Sequence, residues 1–303
     1  MQCIGVFLQA IFGRLPLNGG TMASAARSRS QIVLLGTGTP NADPSRSGPS
    51  VAIVVDGVSY LVDFGPGIVR RAAAAHAAGI EALAVPQLRL AFLTHLHSDH
   101  TAGYPDLILT PWVLGRKRPL QVYGPPGLNR MTKYVLSAYQ CDIRERLDGL
   151  EPANRTGHAV QSFEIEPGIA YRDAHVTVEA FAVNHGIGPA YGYRFTTRDR
   201  VIAISGDTAP FEGWAEVYAG CDTLVHEVQS ADGLSHREEE WQAYHCAMHT
   251  TTRELADIAS TVNPKLLVLY HQLFHGVSEE QLLQEVRQSY PGEVVLGSDL
   301  GIY

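Results

Sequence analysis

The chain has 303 residues, of which 45% are hydrophobic and 18% are charged, the ordinary balance of a globular protein with a full core. Lysine and arginine total 23 against 31 aspartate and glutamate residues, so the formal net charge is −8. Such a surface repels a phosphate backbone, and no basic run is longer than Arg116-Lys117-Arg118, so nucleic acid is not expected as a partner.

The N-terminal segment, residues 1–30, is expected to lie outside the folded domain, either disordered or partly an artefact of an upstream start, because Met22 precedes a polar stretch. The apolar run Ile4–Phe12 has no basic residue before it, so it is a poor secretory signal. No apolar run reaches the ~20 residues of a membrane helix. The four cysteines show no C-x-x-C spacing, which is compatible with a reducing compartment. We therefore expect a cytoplasmic protein with one domain, residues 31–303.

The first elements predict a sheet with an acid at one strand end. Ile32–Leu35 is a short apolar strand, and the glycine turn after it lacks the third glycine of a dinucleotide fingerprint. Ser50–Val55 and Ser59–Val62 read as a hairpin joined at Asp56-Gly57. Asp63 then ends the second strand. It is either a turn residue or, beside a metal site, the hydrogen-bond partner of a ligand.

A histidine-rich loop follows the apolar run Leu88–Leu93, which we read as a buried strand. The loop reads Thr94-His95-Leu96-His97-Ser98-Asp99-His100. Neutral imidazole and carboxylate are the ligands of catalytic zinc, and the loop has donors enough for two ions. The alternative is a run of surface histidines, which is common for one histidine and rare for H-x-H-x-D-H behind a buried strand.

The rest of the chain alternates strands with helices, which predicts an α/β (α+β) protein with sheets covered by helices. The expected helices are Ile68–Ala78, Gly103–Leu114 and Leu128–Leu147, and the expected strands are Leu120–Tyr123, Ser162–Ile165, His175–Val183, Gly192–Thr196, Val201–Ile204, Asp222–Val225 and Leu266–Tyr270. Three of these strands are followed by a single polar residue, namely His185, Asp207 and His271. His185 alone reads as an ordinary loop residue, but convergence with the histidine loop predicts one site.

This set of motifs resembles the metallo-β-lactamase superfamily, over roughly Gln31 to Tyr303. The resemblance implies a four-layer αββα sandwich that holds two zinc ions at one edge of its sheets, with Mn²⁺ or Fe²⁺ as substitutes. Position by position, it implies that the first zinc is held by His95, His97 and His185, the second by Asp99, His100 and His271, and both by Asp207. Some redox relatives have a carboxylate where His97 stands and hold iron, so His97 favours zinc.

A closer similarity is to the ribonuclease Z and arylsulfatase-like branch. It rests on the opening Leu35–Pro40, on His226-Glu227 after a strand, and on His249-Thr250-Thr251 at a helix start. The branch implies a Glu227–His249 pair in which the histidine assists proton transfer to the leaving group. Without the resemblance, His249 would read as the neighbour of a helix cap. The implied catalytic residues are Asp99, Asp207, Glu227 and His249, while His226 and His245 match no ligand position.

One departure from the branch limits the function that can be carried over. Bacterial-type ribonuclease Z enzymes insert a tRNA-binding arm where this chain has only Thr196–Arg200, which fits a hairpin turn. We therefore expect a dinuclear zinc hydrolase that uses a metal-bridging hydroxide on a small ester, phosphodiester, sulfate ester, lactone or β-lactam. The alternative is a ribonuclease Z-type endonuclease. A non-catalytic metal-binding protein is a remote third reading, and a homodimer is compatible with all three.

Overall fold

The computed structural model describes residues 30–303, so the expected N-terminal extension lies almost wholly outside the described residues. Its strands are β1 Ser30–Gly36, β2 Ser50–Val55, β3 Val58–Val62, β4 Leu90–Phe92, β5 Leu120–Gly124, β6 Val160–Glu164, β7 Gly168–Arg172, β8 Thr177–Ala182, β9 Tyr191–Thr196, β10 Val201–Ile204, β11 Thr223–Gln229, β12 Leu266–Leu273 and β13 Val294–Leu296. Its α-helices are α1 Ile68–Ala77, α2 Ser98–Thr101, α3 Tyr104–Val113, α4 Leu128–Ala138, α5 Gln140–Asp148, α6 Trp214–Tyr218, α7 Ala231–Ser235, α8 Glu239–Met248, α9 Thr252–Val262 and α10 Glu279–Arg287. Among residues 30–303, no helix is both long and apolar enough to cross a membrane.

The strands form two sheets with the same plan. The six-stranded sheet has the order β1-β2-β3-β4-β5-β6, and the seven-stranded sheet has the order β13-β12-β11-β10-β9-β8-β7. In each sheet the earlier strands in the chain pair antiparallel and the later ones pair parallel. Near the C-terminus, Ile302 pairs with Val33 of β1, so the end of the chain lies against the first sheet.

Three buried apolar clusters separate four layers. In β1, Ile32 and Leu34 belong to the core between the two sheets, whereas Val33 and Leu35 pack with the helices that cover the first sheet. Strands buried on both faces read as continuous apolar runs, as β1 does. A third cluster packs Leu255 of α9 against the outer face of the second sheet. This arrangement confirms the expected αββα sandwich.

Both predicted hairpins form. Asp56 and Gly57 have positive φ angles of 48° and 81°, as expected for the two central residues of a type I′ turn, and Val55 pairs with Val58 across it. β9 and β10 pair antiparallel from Thr196 opposite Val201. The segment between them is a tight turn, and no arm projects from it.

Several predicted boundaries are wrong. The helix expected over Leu128–Leu147 is two helices that meet at Tyr139, and β4 has only the residues Leu90–Phe92. Strands β7 and β13 and helices α2, α6, α7, α8 and α10 were not predicted. His226 and Glu227 lie inside β11, not after it, because the strand continues to Gln229.

His271 also lies inside a strand and not at its end. The pairing of β11 with β12 shifts register between Glu227 and Val228, and His271 is the β12 residue skipped at that shift. Its φ angle is 45°, in the left-handed region that few non-glycine residues adopt, with Asn, Asp and His the most frequent among them. A bulge re-aims one side chain of a strand, and here it coincides with a predicted site residue.

Candidate metal centre and active site

The seven predicted ligand residues come together at one edge of the two sheets. The loop after β4 contributes the four residues of the histidine motif, and segments of the second sheet contribute the other three. One side-chain atom from each of His95, His97 and His185 lies within 4.8 Å of the others. The same limit holds for a second group, Asp99, His100, Asp207 and His271. These are the two sets that the resemblance implies, with Asp207 in the second.

Asp63 orients His100. The carboxylate of Asp63 is buried, and its Oδ2 accepts a hydrogen bond from Nδ1 of His100 at 2.8 Å. Its Oδ1 accepts from the backbone N–H of Thr94 at 2.8 Å, which ties the start of the histidine loop to the end of β3. In the neutral ring that binds metal, Nδ1 of His100 carries the proton of this bond and Nε2 keeps its lone pair. That nitrogen lies 3.3 Å from Oδ2 of Asp207.

His95 and His185 are also hydrogen-bonded through Nδ1. The hydroxyl of Thr94 donates to Asp63, so it accepts from Nδ1 of His95 at 2.9 Å. Nδ1 of His185 donates to the carbonyl oxygen of Met248 at 2.8 Å. In both rings Nε2 therefore carries the lone pair. Nε2 of His185 lies 3.1 Å from Nδ1 of His97.

Unpaired buried atoms at the centre of the cluster fit a divalent cation. Nε2 of His95, Nε2 of His100 and Oδ1 of Asp207 are buried and have no hydrogen-bond partner. Such atoms are costly in a folded protein unless a ligand completes them. Imidazole nitrogens with free lone pairs and carboxylate oxygens are the donors that zinc takes. The donor set therefore fits the metal that the fold family implies.

The charges of the cluster also favour a cation. Burial lowers the pKa of His95 well below its usual value and that of His185 to about 4, which keeps both rings in the neutral form that binds metal. Burial alone would lower the pKa of His100, but Asp207 and Asp63 hold it well above the ordinary value. The carboxylates of Asp207 and Asp63 therefore favour a positive charge at the position of His100.

A buried glutamate–histidine pair lies beside the cluster. Oε1 of Glu227 accepts from Nδ1 of His249 at 3.0 Å and from the backbone N–H of Thr208 at 2.9 Å. Burial raises the pKa of Glu227; burial would lower that of His249, but Glu227 raises it to about 9. The His249 ring lies 5.2 Å from that of His185 and 5.9 Å from that of His271, between ring centroids. His249 is thus oriented by Glu227 at the edge of the predicted ligand sets.

The junction of α8 and α9 holds His249 in place. His249 follows the last residue of α8, and Thr251 forms a capping box with Glu254 at the start of α9. From β11, the side-chain amide of Gln229 donates to the carbonyl oxygens of His245 and His249, both at 3.0 Å. The backbone on both sides of His249 is therefore hydrogen-bonded to fixed elements.

A cavity of about 720 Å³ opens over the cluster. Its floor includes His97, Asp99, Asp207 and His249. The loop from Pro40 to Pro49, which is expected from its sequence to form a pocket wall, does line the cavity, and the residues of this first wall are Gly38, Thr39, Pro40, Asn41, Asp43 and Arg46. The second wall was not foreseen from the sequence. It consists of Arg237, Trp241, Tyr244, His245 and His275, from α8, its N-terminal flank and the loop after β12. The spacing of Trp241, Tyr244 and His245 places them on one face of a helix, a signal that could have found the second wall.

The first wall is a loop with clamped ends. The N–H of Gly38 donates to the carbonyl of Ser47 at 2.8 Å, and the Asp299 carboxylate accepts from the N–H groups of Thr37 at 2.9 Å and Ser47 at 2.8 Å. Directly after it, the N–H of Gly48 donates to the carbonyl of Pro66 at 2.9 Å. A Cβ at Gly48 would lie 2.3 Å from Cδ of Pro66, so only glycine allows this approach.

Comparison with known proteins agrees with the site. A family model described as a beta-lactamase superfamily domain matches residues 59–272. The chain is 32% identical over 278 residues to a ribonuclease Z of Mycobacterium bovis (strain BCG / Pasteur 1173P2), covering 89% of this chain and 96% of that protein. It is 33% identical over 275 residues to a ribonuclease Z of Mycobacterium sp. (strain KMS), covering 89% and 94%. These names favour the ribonuclease Z alternative over the small-substrate reading.

Solved structures share the fold. The metallo-beta-lactamase fold protein YhfI from Bacillus subtilis aligns with a TM-score of 0.68 at 17% identity, over 91% of this chain and 100% of that one. The short form of human tRNase Z aligns with a TM-score of 0.67 at 23% identity, over 90% and 98%. The chain belongs to the beta-lactamase superfamily and is a metal-dependent hydrolase of the metallo-β-lactamase fold.

Proposed function

We propose that this chain is a dinuclear zinc phosphodiesterase, and that its first candidate substrate is RNA, cleaved in the manner of ribonuclease Z. The observation that carries the proposal is the Glu227–His249 pair beside the ligand cluster, with a 3.0 Å hydrogen bond between the two side chains. A buried acid–base pair within reach of a metal cluster serves cleavage of a bond with a poor leaving group. The ribose oxygen released from an RNA phosphodiester is such a group.

The two groups of donors suggest how the residues divide. His95, His97 and His185 would hold one zinc ion, Asp99, His100 and His271 the other, and Asp207 would bridge them. Two bound zinc ions supply a water of lowered pKa and a Lewis acid for the scissile group. Asp63 and Thr94 fix the rings of His100 and His95 through their second nitrogens, so the ligand lone pairs stay aimed at the cluster.

The remaining steps fall to side chains that line the cavity. His249 has its Nδ1 bound to Glu227, so Nε2 is the nitrogen that can deliver a proton to the departing oxygen. Glu227 stabilises the protonated ring and fixes its orientation through three hydrogen bonds, from His249, Thr208 and Thr250. Because Glu227 is completely buried, solvent does not compete for that carboxylate.

Similarity over almost the whole length of the named relatives supports an RNA substrate. The alignment covers 96% of the Mycobacterium bovis ribonuclease Z, so nearly all of that protein has a counterpart here. The cavity is also lined by Arg237, which offers positive charge above the cluster despite the net charge of −8, whereas the other arginine of the lining, Arg46, is ion-paired with Glu279. Arginine is well suited to phosphate because its donors form a fork.

A small-molecule substrate is the second candidate, and the short connection between β9 and β10 favours it. The N–H of Thr197 donates to the carbonyl of Arg200 at 3.0 Å, so the turn is closed and offers no extended surface to a large substrate. The candidates here are the expected small diesters, esters, sulfate esters, lactones and β-lactams. Contacts far from the scissile bond position a large substrate, and none are available at this turn.

The test compares both candidates on one preparation. Zinc-loaded protein should contain close to two metal ions per chain by elemental analysis. Its kcat/KM for removal of a 3′ trailer from precursor tRNA should exceed that for bis(p-nitrophenyl) phosphate, an aryl sulfate, a lactone and a β-lactam, and should fall steeply with salt. Faster turnover of a small substrate would promote the second candidate. No turnover of any diester by metal-loaded protein would refute the proposal.

A further inference from the structure

The cavity wall formed by α8 carries two large aromatic rings that the proposed chemistry does not use. Trp241 and Tyr244 each expose 48% of their surface, and no residue of α8 is buried. Both line the cavity that contains His97 and Asp99. Exposed aromatic surface on the wall of a cavity is typical of a place where a ligand binds.

The rings form a continuous series from the mouth of the cavity to the predicted ligands. The ring centroids of Trp241 and His245 are 6.0 Å apart, those of His245 and His249 are 5.8 Å apart, and those of His249 and His185 are 5.2 Å apart. The ring of Tyr244 lies beside that of Trp241, with 5.8 Å between the two ring centroids. A group stacked on Trp241 is therefore three ring-to-ring steps from the cluster.

The charges around this wall suit a nucleotide. The guanidinium of Arg237 lies 6.0 Å from the centre of the Trp241 ring and lines the same cavity. Glu238, Glu239 and Glu240 follow Arg237 in sequence, but none of them lines the cavity. An aromatic face next to an arginine fits a base attached to a phosphate, since bases stack on aromatic rings and arginine binds phosphate.

We infer that Trp241 and Tyr244 form a subsite for a nucleobase of the substrate, at the mouth of the cavity that leads to the metal cluster. The inference rests on the proposed function, because it names a part of the substrate other than the cleaved bond. Every base has a face that can stack, so the subsite selects nucleotides over other diesters without selecting one base. Arg237 binds the phosphate of the stacked nucleotide.

The test measures binding without catalysis. Zinc-loaded full-length protein is titrated with adenosine 5′-monophosphate and with ribose 5-phosphate by calorimetry, and quenching of tryptophan fluorescence is followed in parallel. Adenosine 5′-monophosphate should bind about 5- to 150-fold more tightly, the range expected for one stacked base. The change Trp241→Ala should abolish this preference, and Trp241→Phe should keep most of it.

The chain offers a matched control on α4. The guanidinium of Arg130 lies 5.7 Å from the ring centre of Tyr134, the same i, i+4 arrangement as Arg237 and Trp241, and Tyr134 is 59% exposed. Neither residue lines the cavity. Tyr134→Ala should therefore leave the affinity for adenosine 5′-monophosphate unchanged.

Two outcomes would overturn the subsite. One is equal affinity of the wild type for both ligands, which requires no variant to fold. The other is that Trp241→Ala changes the molecular mass of the protein in solution but keeps the preference for adenosine 5′-monophosphate. That result would assign α8 to an interface between subunits. If the protein prefers adenosine 5′-monophosphate but cleaves no diester, the subsite stands and the phosphodiesterase proposal fails. If it cleaves diesters but shows no preference for the nucleotide, the phosphodiesterase proposal stands and the subsite fails.

Discussion

At the scale of single residues, His249 is held in the same way as the predicted ligand His100. Each ring donates Nδ1–H to a buried carboxylate, Glu227 for His249 and Asp63 for His100, and keeps Nε2 free. One side-chain atom of His249 also lies within 4.8 Å of His185 and Asp207, so its hydrogen bonds alone do not distinguish a proton donor from a ligand. The proposed roles of His249 and the ligands can be separated by experiment, because only a ligand is needed to hold metal.

His249→Ala should keep both metals and lose turnover. A general acid contributes about 10²–10⁴ to the rate, so kcat on a diester with an alkoxide leaving group should fall by that factor. The loss should be smaller for bis(p-nitrophenyl) phosphate, whose leaving group needs little protonation. Elemental analysis and steady-state kinetics on the same samples measure both effects. Loss of metal on this change would show that His249 is a ligand.

Asp63 hydrogen-bonds the predicted ligand His100 through the ring nitrogen that does not face the cluster, so its replacement should weaken metal binding. Its φ angle is 61°, which asparagine tolerates well, so Asp63→Asn should fold. Asparagine has only one acceptor oxygen, so if that oxygen keeps the N–H of Thr94, the NH₂ group faces Nδ1–H of His100 and cannot accept its proton. Loss of such a partner lowers metal affinity about 10- to 100-fold. Competition with a chromophoric chelator measures the change.

Asp299→Asn is the control for that experiment. Asp299 also accepts a backbone N–H and a threonine hydroxyl, both from Thr37 at 2.9 Å, but it contacts no histidine. Its replacement should leave metal affinity as it is in the wild type. Equal affinity of the Asp63 and Asp299 variants would contradict the role of Asp63.

At the scale of elements, the predicted and observed structures agree where a buried strand is followed by a polar residue. Leu90–Phe92 and Val201–Ile204 are apolar runs with ligands after them, so their sequences predict both the strand and the site. The periodic spacing of histidines in H-x-H-x-D-H then specifies which side chains share the loop. These parts depend on local sequence alone, which is why they are readable without a structure.

Other elements depend on tertiary packing and could not be predicted. His271 is presented by a register shift between β11 and β12, which depends on how two strands distant in sequence pair. The break at Tyr139 is marked by no proline or glycine, although its backbone leaves the helical region with ψ of 12°. α8 buries no side chain, so no apolar period marks it as a helix, and the spacing of Trp241, Tyr244 and His245 is the signal that remains for this wall of the cavity.

At the scale of the whole molecule, the predicted ligands are divided between the two sheets. The loop after β4 of the first sheet carries His95, His97, Asp99 and His100, and segments of the second sheet carry His185, Asp207 and His271. Metal bound by both groups would join the two halves of the sandwich. The stability of the whole domain should therefore depend on metal.

Zinc should raise the melting temperature. One ion at a free concentration of 100 times its Kd stabilises the native state by about 2.7 kcal/mol if the unfolded chain does not bind it. For a chain of this size that corresponds to a Tm increase of about 4–5 °C relative to chelator-treated protein. Differential scanning calorimetry with and without chelator measures it. His249→Ala should show the full shift and Asp207→Ala a reduced one, whereas identical melting of treated and untreated wild type would argue against metal held by both halves.

The loop between Gly38 and Ser47 can be replaced as a unit without disturbing the rest of the fold. Its ends are held by Asp299 and by the hydrogen bond between the two flanking residues, while Thr39, Pro40 and Asn41 face the cavity. None of the predicted ligands depends on it for orientation. Transplanting this segment from hydrolases of the same fold that act on other substrates would alter the shape of the cavity while the catalytic geometry stays in place, which makes the loop a starting point for engineering new specificity.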